Sequence, residues 1–173
     1  MEVVLRTAGL AVLLLQAPGP AVACGPDVPC AVEGGSYRAA PPPGWDGRSA
    51  LPTAFFFHGW RGSAEAEMGN GGLRAAFAAA GILLIVPDGA GQTWSHQGAP
   101  TQARDEVAFI AAVLADVRRR WPVADALLWA TGFSQGGSMV WDLACSGGGF
   151  RAYVPVAGAF WVPIPASCPA GPM

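Results

Sequence analysis

The residues of this chain with the clearest chemical potential are Gly132-Phe133-Ser134-Gln135-Gly136-Gly137. A serine hydroxyl is a weak nucleophile, and it becomes useful when it is held on a sharp strand-to-helix turn that exposes Oγ to a carbonyl carbon. Such a turn brings the flanking residues against neighbouring backbone, where a Cβ would clash, so small residues on either side of the serine are what the geometry requires. The backbone N–H of Gln135, at the start of the following helix, would then point toward the oxygen that becomes negative during attack. The chemistry implied is acyl transfer through a covalent Ser134 intermediate.

The elements needed to hold that turn can be read on both sides of it. Leu127 to Thr131 (LLWAT) is a short apolar run leading into the motif, and Ser138 to Ala144 is helical in pattern. Two more runs, Pro52 to Phe57 (PTAFFF) and Ile82 to Val86 (ILLIV), have the length and composition of strands buried on both faces. Between the runs lie helical patterns at Leu73 to Ala80 and Thr101 to Trp121. The second places Val107, Ile110, Ala111, Leu114 and Val117 on one stripe, with Asp105 and Glu106 near its start, Arg118 to Arg120 in its last turn and Pro122 as its stop. Gly34 to Ala40 reads as an edge strand, ended by Pro41-Pro42-Pro43-Gly44, and Ala152 to Val156 as a late strand. Alternating buried strands and helices predict an α/β domain with a mostly parallel sheet and helices on both faces. Ligands of such sheets bind at the carboxyl ends of the strands.

His58-Gly59-Trp60 closes the PTAFFF run, and the loop after that strand is the expected source of a second oxyanion donor, assigned to the Trp60 N–H. His58 itself is expected to buttress its loop by hydrogen bonding rather than to act as a base. Trp94, after Pro87-Asp88-Gly89, is a candidate wall of the substrate pocket, with packing beneath a loop as the alternative. The tryptophans at 45, 121, 129, 141 and 161 read as core. A general base is harder to find. In the expected chain order an acid and then a histidine follow the serine, but Asp142 is the only acidic residue after Ser134 and no histidine follows it. Asp142 would lie about 12 Å along the helix that Ser134 opens. His96 could serve only in a different triad topology. The late strands of the sheet and the acid and base are therefore expected to be missing together.

The 173 residues suit one domain, and a composition of 52% apolar and 13% charged residues with a formal net charge of −2 gives no nucleic-acid footprint. Arg6, the apolar run Ala8 to Leu15 and Ala21-Val22-Ala23 have the layout of a secretory signal peptide, cleaved after Ala23, and the run is too short for a stable membrane span. The division expected is thus a signal peptide over 1–23 and a partial domain over 24–173, in an extracellular or periplasmic protein. Lipid modification of Cys24 is the alternative. Four cysteines remain, Cys24, Cys30, Cys145 and Cys168, an even set suited to disulfides in an oxidising compartment. Three connectivities are open. The short interval from Cys24 to Cys30 favours a local clip, which leaves Cys145 with Cys168. With no CxxC and only two histidines, no metal or other cofactor is expected. Oligomeric state is not legible.

Taken together, the opening cysteine pair, the Gly-Ser-Tyr strand, HGW, PDG followed by TW, ATGFSQGGSM and PVAGAF ahead of a late cysteine resemble the secreted polyhydroxybutyrate depolymerase and feruloyl esterase group of the α/β-hydrolases. The similarity runs from about Cys24 to Cys168. It implies an α/β-hydrolase fold and hydrolysis of a carboxylic ester, either a polyester such as a polyhydroxyalkanoate or an esterified polysaccharide bearing feruloyl or acetyl groups. Members of that group carry their Asp and His in a last third with no counterpart here, so only Ser134 and the oxyanion donors Gln135 and Trp60 are carried over. A non-catalytic secreted binding protein is the competing expectation.

Overall fold

The structure, a computed structural model, describes residues 24–168. The expected signal peptide over 1–23 lies outside the described residues. Among the described residues six strands form one sheet: β1 (Cys30–Val32), β2 (Gly35–Ala40), β3 (Leu51–Phe57), β4 (Leu83–Pro87), β5 (Val123–Phe133) and β6 (Ala152–Val156). Four α-helices accompany them: α1 (Ala64–Gly69), α2 (Gly71–Ala79), α3 (Glu106–Arg120) and α4 (Gln135–Ser146). The strand order is β1-β2-β4-β3-β5-β6, with β3, β4, β5 and β6 parallel and β1 and β2 antiparallel to their neighbours.

This order has a direct consequence for function. The chain moves outward from β3 to β4 and then crosses back over β3 to β5. Where the winding reverses, the loops leaving the carboxyl ends of the strands diverge and leave a crevice.

Side chains alternate across the sheet as a period of two requires. Phe55, Phe57, Leu83, Ile85 and Leu128 pack against α3 and α4 in the larger core, while Leu84 and Val86 pack with Ala64 and Met68 of α1 and with Phe77 of α2. Helices therefore cover both faces. On the α1 and α2 side, cover stops short of the β5–β6 end, where Leu127, Val154 and Val156 remain exposed.

Three sequence expectations need correction. Gly35–Ala40 is not the edge strand, because β1 pairs outside it, Cys30 opposite Tyr37, through a tight turn in which Gly34 takes φ +81°. A strand of three residues has too few positions for alternation to reveal it. Helix α3 begins at Glu106 rather than Thr101: the Asp105 carboxylate accepts the Ala108 N–H at 2.9 Å as N-cap, and the Ser95 hydroxyl accepts the Ala103 and Arg104 N–H groups just before it. The buried stripe of α3 is also turned. Val107 and Ala111 face solvent, and Phe109 and Val113 join Ile110, Leu114 and Val117 inside.

That rotation buries two carboxylates, Glu106 and Asp116, and both are paired. Glu106 meets the Arg104 guanidinium at 2.6 Å. Asp116 accepts the Tyr37 hydroxyl at 2.7 Å and Arg120 Nε at 2.8 Å, and also pairs with Arg119. Burial pushes Asp116 up, but the bonds from Tyr37 and Arg120 outweigh it and hold the carboxyl below its ordinary range. A period-3.6 reading assigns these positions to the polar face because it scores side chains one at a time, without their partners.

Candidate active site

Strand β5 ends at Phe133 and α4 begins at Gln135, so Ser134 alone makes the turn. It does so at φ 55° and ψ −119°, a conformation that costs a non-glycine residue about 1–3 kcal/mol. The surroundings hold it there. The Ser134 N–H donates to the Val156 carbonyl at the end of β6 at 2.9 Å. A Cβ on Gly132 would lie 2.6 Å from the Gly136 carbonyl oxygen, and one on Gly136 would strike the Phe57 carbonyl and stand 2.6 Å from that of His58. The glycines of the motif thus let α4 start against the end of β3, which leaves Ser134 exposed at the crevice.

A cavity of about 600 Å³ opens there, and Ser134, Gln135, Ser138, Trp60, Thr93 and Trp161 contribute to its wall. The turn from Ala157 to Ala159 completes one side. Ser134, Gln135 and Trp60, expected from sequence to act together, are thus brought to one cavity. No carbonyl among the described residues accepts the backbone N–H of Gln135 or of Trp60. The Gln135 side chain is fixed by Thr93, with Nε2 to Oγ1 at 2.8 Å and Oγ1 to Oε1 at 3.0 Å.

His58 lies beneath this site, fully buried. Its Nε2 accepts the Gly89 N–H at 2.9 Å, so the ring proton resides on Nδ1 and is donated to the Gly59 carbonyl at 2.8 Å. Burial pulls its pKa below the ordinary value, and the Gly59 bond opposes that pull. The ring ties the loop after β3 to the loop after β4.

Trp94 does not wall the cavity. It is fully buried, donates from Nε1 to the His58 carbonyl at 2.8 Å and packs edge-on to Phe57. The tryptophan that sequence reasoning placed in the core, Trp161, lines the cavity instead, and Trp60 projects into solvent there with 63% of its surface exposed. Exposure of Trp161 depends on how the loop after β6 lies on residues 96–98, a long-range contact that leaves no local trace. Thr93 and Ser138 were missed for the same reason.

His96 and Asp142 are both outside the cavity wall. His96 is buried, bonded through Nδ1 to the Gln97 carbonyl at 2.9 Å and packed edge-on to Trp161. Burial pushes the Asp142 carboxyl up, against the pull of the Gln97 backbone N–H and of His96. Among the described residues, no ionisable side chain lines the cavity. The cysteines pair as Cys24–Cys30 and Cys145–Cys168, and the second bridge ties the end of α4 to the loop that leaves β6.

No family model matches the chain. Among curated proteins it is 35% identical over 127 residues to NocK of Nocardia uniformis subsp. tsuyamanensis, named as an esterase, a match covering 70% of this chain and 37% of that one. It is 31% identical over 122 residues to feruloyl esterase C of Emericella nidulans, covering 66% of this chain and 43% of the relative. The chain thus spans about two-fifths of the length of these relatives. Among solved structures, S-formylglutathione hydrolase (FrmB) from Staphylococcus aureus superposes with a TM-score of 0.60 at 17% identity, over 72% of this chain and 52% of that one. Acetyl xylan esterase from Aspergillus awamori does so with a TM-score of 0.56 at 18% identity, over 75% and 47%.

Proposed function

From a chain with the α/β-hydrolase fold and sequence similarity to curated esterases, we propose a secreted carboxylic-ester hydrolase working through an acyl-Ser134 intermediate. The observation that carries the reading is the exposed Ser134, held at positive φ on the wall of a cavity to which Gln135 and Trp60 also contribute. Ser134 Oγ attacks the ester carbonyl and passes its proton to a base. The carbonyl oxygen takes the negative charge and is met by the backbone N–H groups of Gln135 and Trp60. Collapse breaks the bond to the alkoxy oxygen, which leaves as the alcohol with that proton, and water then releases the acid from Ser134.

The base is not supplied by the cavity wall, and the part of the relatives that this chain does not span is its proposed source. The ester is proposed to be of polyhydroxyalkanoate type, with feruloyl or acetyl polysaccharide esters as the alternative. Two disulfides support export to an oxidising compartment, with residues 1–23 as the signal peptide.

Chemical rescue tests the reading. Imidazole added to the 173-residue chain should raise hydrolysis of p-nitrophenyl acetate above that of the Ser134→Ala variant in the same buffer. Equal rates at every imidazole concentration would refute a nucleophilic Ser134. They would favour the second reading, a non-catalytic binding protein, which the lack of ionisable side chains in the cavity wall among the described residues supports.

A further inference from the structure

Resting on the reading of Ser134 as the nucleophile and of Gln135 and Trp60 as oxyanion donors, one side chain of the cavity wall has a part that the acyl transfer itself does not use. Thr93, in the loop after β4, is buried, and its hydroxyl is engaged with the Gln135 amide, accepting from Nε2 at 2.8 Å and donating to Oε1 at 3.0 Å. The Ser138 hydroxyl in the same wall is employed differently. It accepts the Trp161 Nε1–H at 3.1 Å and the Ala159 N–H at 3.3 Å, and Gln97 Nε2 donates to the Pro163 carbonyl of the same segment. Those bonds hold the loop after β6 and reach neither proposed donor.

The tie from Thr93 matters because of the peptide it restrains. The Gln135 N–H belongs to the Ser134–Gln135 peptide, whose plane turns with ψ of Ser134 and φ of Gln135. Ser134 is held at φ 55° and ψ −119°, so turning that plane is a direct way for the strain to relax, and it would swing the N–H off its aim. The first N–H groups of a helix have no intrahelical partner, so no helical bond holds this one. On one side the Ser134 N–H is fixed to the Val156 carbonyl at 2.9 Å. On the other, the restraint comes from the Gln135 side chain and Thr93.

Thr93 is itself fixed to the loop that presents Trp60. The Gln92 carbonyl accepts the Arg61 N–H at 2.8 Å, and Trp94 Nε1 donates to the His58 carbonyl at 2.8 Å. A Cβ on Gly89 would stand 2.5 Å from the Thr93 carbonyl oxygen, so a glycine lets the backbone close there. The stretch Gln92-Thr93-Trp94 therefore spans the two donors, bound to the Trp60 loop at both ends and to Gln135 in the middle.

We infer that Thr93 is a positioning residue for the oxyanion site: by holding the Gln135 amide it sets the aim of the Gln135 N–H and its spacing from that of Trp60. It acts through Gln135 and not on the ester. A displacement of about 1 Å in such a group costs up to about 10²-fold in rate.

The test compares p-nitrophenyl acetate with its thionoester, O-(4-nitrophenyl) ethanethioate, on the 173-residue chain with imidazole as added base, each rate taken as the part lost in Ser134→Ala. Sulfur accepts hydrogen bonds poorly and is larger than oxygen, so the ester-to-thionoester ratio reads contact with the donors, whereas loss of folded protein lowers both rates alike. The native ratio should exceed that of imidazole alone in water. Thr93→Val, of the same shape without the hydroxyl, should lower the ester rate about tenfold and bring the ratio toward that of imidazole alone, and Thr93→Ser should restore both. Gln135→Met cuts the same tie from the other end and leaves the backbone N–H in place, so it should give the same fall even where Thr93→Val does not fold. The double variant should lose no more than either single one. A native ratio in Thr93→Val or Gln135→Met, an equal fall of both rates, a Thr93→Ser variant no better than Thr93→Val, or additive losses in the double variant would overturn the inference. Ser134-dependent hydrolysis with a native ratio no higher than that of imidazole would sink this inference alone. No Ser134-dependent hydrolysis of either ester by the native chain would instead refute the catalytic reading, and this role with it.

Discussion

The Gly89 backbone N–H donates to His58 Nε2 at 2.9 Å, which leaves the imidazole proton on Nδ1 facing the Gly59 carbonyl and the ring without a free lone pair. The buried histidine beneath the proposed active site is thereby a structural tie between two loops and has no capacity to accept a proton from Ser134.

The tie should be acid-sensitive. Burial lowers the folded-state pKa of His58 below the unfolded value near 6.5, so the unfolded chain binds the proton first. Stability is therefore unaffected above that value and falls as pH drops through it toward the folded pKa, by at most about 1.4 kcal/mol per pH unit. Urea unfolding at pH 7.5 and pH 5.5 should show the decline in the native chain, and His58→Gln should flatten it. An unchanged decline in the variant would show that other groups cause it. His58→Ala, which also loses two hydrogen bonds and leaves a void, should cost about 2–4 kcal/mol at pH 7.5.

Gly136→Ala should be among the most damaging single-methyl additions in the chain, because the new Cβ meets the Phe57 and His58 carbonyls, which are backbone and cannot rotate aside. A loss of about 3 kcal/mol or more is expected. Gly69→Ala, in α1 with no atom near the added Cβ, is the matched control and should be neutral or stabilise by up to about 1 kcal/mol. Similar denaturation midpoints for the two variants would contradict the close approach of α4 to β3.

Without added base, the 173-residue chain should turn over slowly. With no ionisable side chain in the cavity wall among the described residues, Ser134 stays protonated and only the proposed oxyanion donors and binding assist, which limits the rate to about 10³–10⁴-fold over water. Steady-state hydrolysis of a short p-nitrophenyl ester near ordinary enzyme rates would show that a base is present after all.

Cys145 and Cys168 are 23 positions apart, and closing a loop of that length removes about 3 kcal/mol of unfolded-state entropy on the chain-entropy account. The bridge also anchors the segment that carries Trp161. Cys145→Ser/Cys168→Ser should lower stability by about that amount and make the segment from Ala157 onward the first site of limited proteolysis. Unchanged cleavage there would mean that the Ser138 and Gln97 bonds hold it alone. Cys24 and Cys30 enclose a much shorter loop, so their removal should cost about 2 kcal/mol.

Much of this protein follows from its sequence alone. Short buried strands declare themselves because both faces must be apolar, and the register of LLWAT, Ser134 and the helix after it follows from the glycines, whose missing side chains mark where backbones touch. The spacing of the cysteines favours a local clip, and the tertiary structure selects Cys24–Cys30 with Cys145–Cys168 among the three pairings that the sequence leaves open. Other features depend on contacts between residues far apart in the chain. The three-residue β1 exists through its partner β2, and the buried face of α3 turns because Arg104, Tyr37 and Arg120 pair with the carboxylates it buries. The exchange of roles between Trp94 and Trp161 is of the same kind. An indole is apolar enough for a core and flat enough for a binding wall, so residue type does not decide between them. Trp94 is drawn inside by the His58 carbonyl, and Trp161 is held at the cavity by Ser138 and Gly98. Ser134 was legible because a local backbone constraint defines it, whereas the walls around it were fixed only when distant loops met.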